Sequence, residues 1–394
     1  MRLSLLCLTP RRKTNTKGII GTAGTQEILR AISEEGRHVQ TVSIGGINAT
    51  NVQRVFYQSA SATKQLDGVA IVSAIIAAKD PKSATEELLH LVKSTPPFVA
   101  VSLANLEKKQ DASSLIAQIP GVIRAVGEKS PLSHNMTNLV VQNFAANVAL
   151  AVGGSPIMAN YGEEATDLSN LGGSLVINMG TVTPEGLHNY SQALQAYNLK
   201  GGSVILDPVG AGATAVRRSA VKTLLAAGYF DVIKGNEGEI KTVFGSMVQQ
   251  RGVDSGASTL TDAEKAALVR VLAARERNIV LMTGPTDFVS DGERTFTISN
   301  GHDILGRVTG TGCVLGTTIS LMLAVSPDDK LLATIAGLLH FEIAAEVAAG
   351  RDDVKGPGTF VPALIDELYN IQAATKAGDL RWLDKARVRV APTE

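Results

Sequence analysis

The sequence predicts an α/β fold, on two observations. Short apolar runs rich in Val and Ile recur along the chain, at 39–44, 68–72, 175–178, 204–206, 232–233 and 279–282, most of them bounded by Gly, Asp, Asn or Pro. Between them lie stretches with helical spacing, at 137–151, 185–197, 262–277 and 362–374. Near-continuous apolar strands suit a parallel sheet covered on both faces, and strand–helix alternation is the α/β pattern. Thr261, followed by Asp262 and Glu264, marks one helix start.

A chain of 394 residues predicts two or three domains. One boundary is visible. Pro96 and Pro97 precede the charged run Glu107, Lys108, Lys109, and a helix-like stretch at 115–126 follows, which places a break at 100–112. Lys plus Arg equals Asp plus Glu at 37 each, so no global basic field recruits nucleic acid or a membrane surface. Arg11, Arg12, Lys13 and Lys17 form a local basic cluster, which also suits a loop that binds a small phosphate. Two cysteines, Cys7 and Cys313, lie far apart and match no metal-ligand spacing. A reducing compartment is expected, hence the cytoplasm. No run of about 18 apolar residues is free of charge, so the expectation is a soluble protein.

The chemistry-bearing motifs sit at predicted strand ends. Val308-Thr309-Gly310-Thr311-Gly312-Cys313 precedes an apolar helical run at 317–325. Glycines that open a helix leave backbone N–H groups free, and with the helix dipole they make an anion hole for a phosphoryl group. Cys313 would occupy the first turn, where a thiol pKa falls. A lone Gly-rich turn also serves simply as a bend. Asp207 ends Ile205-Leu206-Asp207-Pro208, where open α/β sheets bind ligands. Lys234 and Glu239 follow the next strand, in Lys234-Gly235-Asn236-Glu237-Gly238-Glu239. Asp207 and Glu239 could hold Mg²⁺ directly or through water, and Lys234 could meet a nucleotide phosphate. A helix cap at Asn236 with acidic first-turn residues is the structural alternative. Thr283 and Gly284 end a fourth strand. Taken together these describe phosphoryl transfer, with a metal site, a phosphate clamp, an anion hole and a base. No Walker A sequence is present.

From about residue 112 onward, these residues resemble hydroxyethylthiazole kinases, of the ribokinase-like superfamily. Pro131-Leu132-Ser133-His134-Asn135-Met136-Thr137-Asn138 resembles their opening motif, Ser155-Pro156-Ile157-Met158-Ala159 their thiazole-contacting loop and Asn178-Met179-Gly180-Thr181 their second strand end. The motifs at Asp207, Lys234 to Glu239, Thr283 and Gly310 to Cys313 then follow in the family's order. The resemblance implies a three-layer α/β/α kinase domain over 112–394 that phosphorylates the alcohol of hydroxyethylthiazole with ATP and Mg²⁺. It implies that Met158 and Gly310 contact the thiazole, that Lys234 and Thr283 contact ATP, and that Asp207 and Glu239 serve the metal. Gly310, Thr311 and Gly312 would supply the anion hole. Cys313 stands where most ribokinase-like enzymes carry an Asp base. Lys234 stands where many relatives have Arg; the lysine keeps the charge and loses the bidentate fork. A trimer-based homo-oligomer is also implied. His134 and His340 are read as structural, and Trp382 as packing of the tail.

The N-terminal part carries Ser43-Ile44-Gly45-Gly46 and Ala70-Ile71-Val72-Ser73, two strand-to-helix turns of the kind that binds phosphate in (β/α)₈ barrels. With Thr14-Asn15-Thr16-Lys17 they resemble thiamine phosphate synthase, in which Thr14, Thr16, Lys17, Gly45, Gly46, Val72 and Ser73 would face phosphate and diphosphate groups. The order resembles the fungal fusion of synthase and kinase. A complete barrel needs roughly 200 residues, so residues 1–105 are expected to be a partial barrel and the synthase activity lost. The alternatives are a chain still bifunctional, a related kinase for hydroxymethylpyrimidine, and a non-catalytic thiazole or nucleotide binder. Thiazole-dependent ATP hydrolysis separates enzyme from binder.

Overall fold

The computed structural model describes the backbone of residues 3–7 and, with side chains, residues 20–36, 38–99, 111–246, 258 and 260–392. The N-terminal part contains β1 (Leu3–Cys7), α1 (Gly21–Glu34), β2 (Gln40–Ile44), α2 (Val52–Ser59), β3 (Gly68–Ala70), α3 (Ser73–Ile76) and α4 (Pro81–Lys93). Its three strands are parallel, in the order β1-β2-β3. Leu29, Ile47, Val52, Val55, Leu66 and Leu88 form its small core.

The larger part begins with α5 (Ala112–Lys129), whose N-cap Asp111 accepts from the backbone N–H groups of Ser113 and Ser114. There follow β4 (Leu132–Met136), α6 (Gln142–Val152), β5 (Ser155–Ile157), α7 (Ala165–Asn170), β6 (Ser174–Asn178), α8 (Pro184–Lys200) and β7 (Ser203–Asp207). Next come α9 (Ala215–Ala227), β8 (Val232–Asn236), α10 (Glu237–Phe244), α11 (Asp262–Glu276) and β9 (Ile279–Thr283). The chain ends with β10 (Asp287–Ser290), β11 (Thr295–Ile298), α12 (Thr311–Val325), α13 (Lys330–Ala349), α14 (Pro357–Ala377) and β12 (Val388–Val390).

These strands form one sheet in the order β12-β11-β10-β9-β8-β7-β6-β4-β5. It is parallel from β5 to β9 and antiparallel from β9 to β12. Side chains alternate between its faces. Val176, Ile205, Val232 and Leu281 enter a core with α5, α6, α12, α13 and α14. Leu175, Ile177, Val204, Leu206, Ile233 and Val280 enter a second core with α8 to α11. Burial on both faces explains why these strands read as unbroken apolar runs. Helix α13 is long and apolar enough to span a membrane by length and composition, and 89% of its apolar window is buried inside the protein.

Several boundaries differ from the sequence expectation. The helix predicted from 137 starts at Gln142, because Asn138 turns the chain first and its Oδ1 accepts from the Val140 N–H at 3.1 Å. The helix predicted from 362 starts earlier, at Pro357. Thr261 and Glu264 do form a reciprocal capping box on α11. His340 stays neutral in the core: its Nε2 lies 2.9 Å from the Leu368 carbonyl, and burial pushes its pKa down to about 4. Trp382 is buried and donates to Thr375 Oγ1 at 3.0 Å.

The N-terminal part docks on the sheet end opposite the strand ends that carry the motifs. Arg54 of α2 donates to the carbonyls of Leu225 and Ala226, the last turn of α9, at 2.9 and 2.8 Å. Cations are favoured at helix C-termini, where carbonyls lack partners. Gln58 donates to the Glu276 carbonyl, and the Arg277 guanidinium stacks 4.2 Å from the centre of the Tyr57 ring. Phe98 stacks on Tyr229 at 4.6 Å. Replacing Arg54 by Ala is expected to destabilise the chain by about 1.5–3 kcal/mol, seen as a lower urea midpoint.

Candidate active site

Six parallel strands end on one sheet edge, and the last residues or following turns of five of them carry polar side chains. Asn138 follows β4, Asn178 ends β6, Asp207 ends β7, Lys234 and Asn236 belong to β8, and Thr283 ends β9. Asn178 pairs in register with Asp207, and Asn236 with Thr283. The N-terminus of α12, with Gly310, Thr311, Gly312 and Cys313, approaches the same edge: Asn138 Nδ2 lies 3.5 Å from Cys313 Sγ.

One hydrogen-bonded chain joins these groups. Asn138 Nδ2 also donates to Asn178 Oδ1 at 2.9 Å, and Asn178 Nδ2 donates to Asp207 Oδ2 at 2.8 Å. Lys234 Nζ lies 3.2 Å from the same Asp207 oxygen, and both side chains are buried. Glu239 is buried and accepts twice from backbone, from Gly210 N–H and Asn236 N–H, each at 2.8 Å. Asn236 Oδ1 accepts from Glu239 N–H at 3.0 Å, which completes a capping box on α10. The cap and the acidic site are therefore the same residues.

Electrostatics follow from this burial. Removal from water, above all, pushes the Asp207 carboxyl above its usual range against the pull of Lys234. Burial and then the Asp207 charge push Glu239 up to about 7. Burial disfavours the Lys234 charge, but the neighbouring carboxylates, Asp207 before Glu239, outweigh it and its pKa is raised. The reading of Cys313 as a thiol with lowered pKa is corrected. Burial and the nearby Asp207 charge push it up to about 11, against the pull of Lys234. The group at the helix start is a protonated thiol near neutral pH.

Gly310 needs its glycine. Its φ is +88°, and an added Cβ would stand 2.2 Å from Val141 Cγ1. An added Cβ at Gly312 would meet nothing within 4 Å, so the backbone there faces open space. Thr311 Oγ1 is used internally, donating to the Leu305 carbonyl at 2.9 Å. Met158 follows β5 and is half-buried against the core that also takes Cys313. His134 Nε2 lies 2.9 Å from the Ala159 carbonyl, the backbone role expected for it.

Arg217, which sequence reading passed over, ties the site together. Its guanidinium donates to the carbonyls of Met179, Gly180 and Val209 at 2.9, 2.7 and 2.7 Å. These belong to the turns that follow Asn178 and Asp207. Asn138 and Asn178 stood in quoted motifs without a role; their signal was an amide at a strand end beside an acid. In the N-terminal part, Gly45 and Gly46 (φ +111° and +64°) follow β2, and Val72 and Ser73 follow the adjacent parallel β3, so both turns share one sheet edge. Thr14, Thr16 and Lys17 lie outside the described residues.

A profile of the hydroxyethylthiazole kinase family matches residues 123–374. A probable thiamine biosynthetic bifunctional enzyme of Schizosaccharomyces pombe is 39% identical over 389 residues, covering 96% of this chain and 74% of that protein. A hydroxyethylthiazole kinase of Desulfosudis oleivorans is 43% identical over 250 residues, 63% of this chain and 89% of its own length. A solved hydroxyethylthiazole kinase structure from Pyrococcus horikoshii superposes with a TM-score of 0.61 at 37% identity, covering 70% of this chain and all of that one.

The Arg217 bridge predicts that Arg217→Lys, which keeps the charge and loses the fork, lowers kcat/KM at least about tenfold. Steady-state kinetics read this, with circular dichroism confirming an unchanged fold.

Proposed function

The chain belongs to the hydroxyethylthiazole kinase family and phosphorylates that thiazole alcohol in thiamine biosynthesis; on that premise we propose how its crevice works. The observation that carries the proposal is the convergence of Asp207, Lys234, Glu239 and the α12 N-terminus on one sheet edge. ATP is the phosphoryl donor. Its phosphates would meet the free N–H groups at Gly310, Thr311 and Gly312, with Thr283 at the neighbouring strand end contacting the nucleotide. Lys234 adds positive charge at the phosphates while it holds Asp207. Met158 and Gly310 would bound the thiazole.

The acids fit a magnesium ion. Two buried carboxylates, each raised first by burial and Glu239 further by the Asp207 charge, share a single lysine and are short of positive charge. Asp207 would hold the ion, and Glu239, whose two oxygens each take a backbone N–H, would reach it through water. The ion would neutralise charge developing on the transferred group. The chain's own part is orientation: Asn178 and Lys234 fix the Asp207 carboxylate, and Asn138 aims at Cys313. A thiol with its pKa near 11 does not abstract the proton at the outset. Cys313 would position the substrate hydroxyl, and the anion hole would supply most of the acceleration.

Residues 1–105 we read as a partial barrel of the synthase type. Three strands are described, against the eight of a complete barrel. Its contacts brace the far end of the kinase sheet, and no synthase step is assigned to it. The 39% identity to a bifunctional relative is consistent with the second reading, a chain that retains both activities. A homo-oligomer is supported by Leu139, Val140 and Tyr161, large apolar side chains exposed close to the crevice.

With ATP and Mg²⁺, the chain is expected to form hydroxyethylthiazole phosphate, and Asp207→Ala to lose at least about 100-fold in kcat. Product formation followed by chromatography checks this; equal rates in the two chains would remove Asp207 from the mechanism.

A further inference from the structure

A second pair of buried acids stands outside the proposed metal site. Asp287 opens β10 just after the turn Thr283-Gly284-Pro285-Thr286, and Glu342 lies on α13. They are 1% and 7% exposed. Asp287 Oδ1 accepts from the Gly284 N–H at 2.9 Å. Among the described residues, neither Asp287 Oδ2 nor Glu342 Oε2 meets a donor on another group, yet the two carboxyls face one another within hydrogen-bonding range.

The charged groups around them are already engaged. Lys234, on β8, is held at Asp207. Arg387, before β12, pairs with Glu346 and donates to the Ser299 carbonyl. Glu346, one turn along α13, also accepts from Asn300 Nδ2 and Gly301 N–H. Among the described residues no cation is left to neutralise the pair, and two ionised carboxylates in contact inside a protein repel strongly.

We propose that Asp287 and Glu342 share one proton, and that this acid–carboxylate hydrogen bond positions the Thr283–Gly284 turn for ATP. The turn is pinned to Asp287 by the Gly284 N–H, and the proton pins Asp287 to α13. Burial and the neighbouring Asp287 charge hold the Glu342 carboxyl well above its usual range, so the proton resides on Glu342. Asp287, pushed by burial to about 6, is the acceptor at neutral pH. The positioning role rests on the reading of Thr283 as an ATP contact; the shared proton does not.

The test has two arms, both on the full chain. Infrared difference spectra between the unchanged protein and Glu342→Gln at pH 7 are expected to show the carbonyl stretch of one additional protonated carboxylic acid in the unchanged protein. Spectra without that band overturn the shared proton, whatever the kinetics. In the second arm, Glu342→Gln still donates to Asp287 and Glu342→Leu does not. The Leu variant is expected to have a KM for ATP at least about tenfold above that of the Gln variant, with a smaller change in kcat. Equal KM values with the band present overturn the positioning role and the placement of ATP at Thr283. If Glu342→Leu does not fold, the infrared arm decides.

Discussion

The interaction on which the site depends is the buried contact between Lys234 and Asp207. Both lie at the end of the parallel sheet, away from water, and neither charge is tolerable there alone. Removing one partner of such a pair typically costs about 3–5 kcal/mol, because the other is stranded. Asn178 completes the arrangement by donating to the carboxylate from the adjacent strand in register. The sheet thus supplies the spacing, and the crevice inherits it. A structural motive alone would favour apolar replacements at these positions. Their presence at the mouth of the sheet is consistent with phosphoryl-transfer chemistry, which needs fixed charge more than it needs covalent participation.

Two residues carry structural and chemical duties at once. Glu239 caps α10 and holds the Gly210 turn behind Asp207, while its charge adds to the acidic side of the crevice. Gly310 takes a left-handed backbone against Val141 and in doing so opens α12 toward the same place. The cap reading of Asn236 and the metal reading of Glu239 were alternatives in the sequence. In the structure they are one arrangement, because a carboxylate held by two backbone donors is also a carboxylate held still.

Much of this was legible in the sequence, and the omissions have physical causes. Strands β6 to β9 showed as apolar runs because helices cover both faces. Strand β4 did not, because its Ser133 and Asn135 are buried polar residues satisfied by α12: Ser133 Oγ meets Ser320 Oγ at 2.6 Å, and Thr317 Oγ1 donates to Asn135 Oδ1 at 2.7 Å. Strands β10 and β11 were passed over although Asp291-Gly292, with Gly292 at φ +95°, marks the turn between them. Asp207, Lys234 and Glu239 were picked out as candidates from their places after strands, and the α12 glycines from opening a helix. Arg217 was not, since three contacts to backbone carbonyls leave no mark in composition or spacing. The Cys313 pKa went the wrong way because a helix N-terminus was weighed without the burial and the Asp207 charge that accompany it.

The central claim is that this crevice fixes charge by burial and leaves Cys313 protonated. The pH dependence of Cys313 alkylation, followed by mass spectrometry of its peptide in the chain free of nucleotide, tests this most directly. The account predicts slow modification through pH 9 and a rise toward a midpoint near 11. A midpoint at or below neutral pH would contradict it and return the thiolate base to the mechanism.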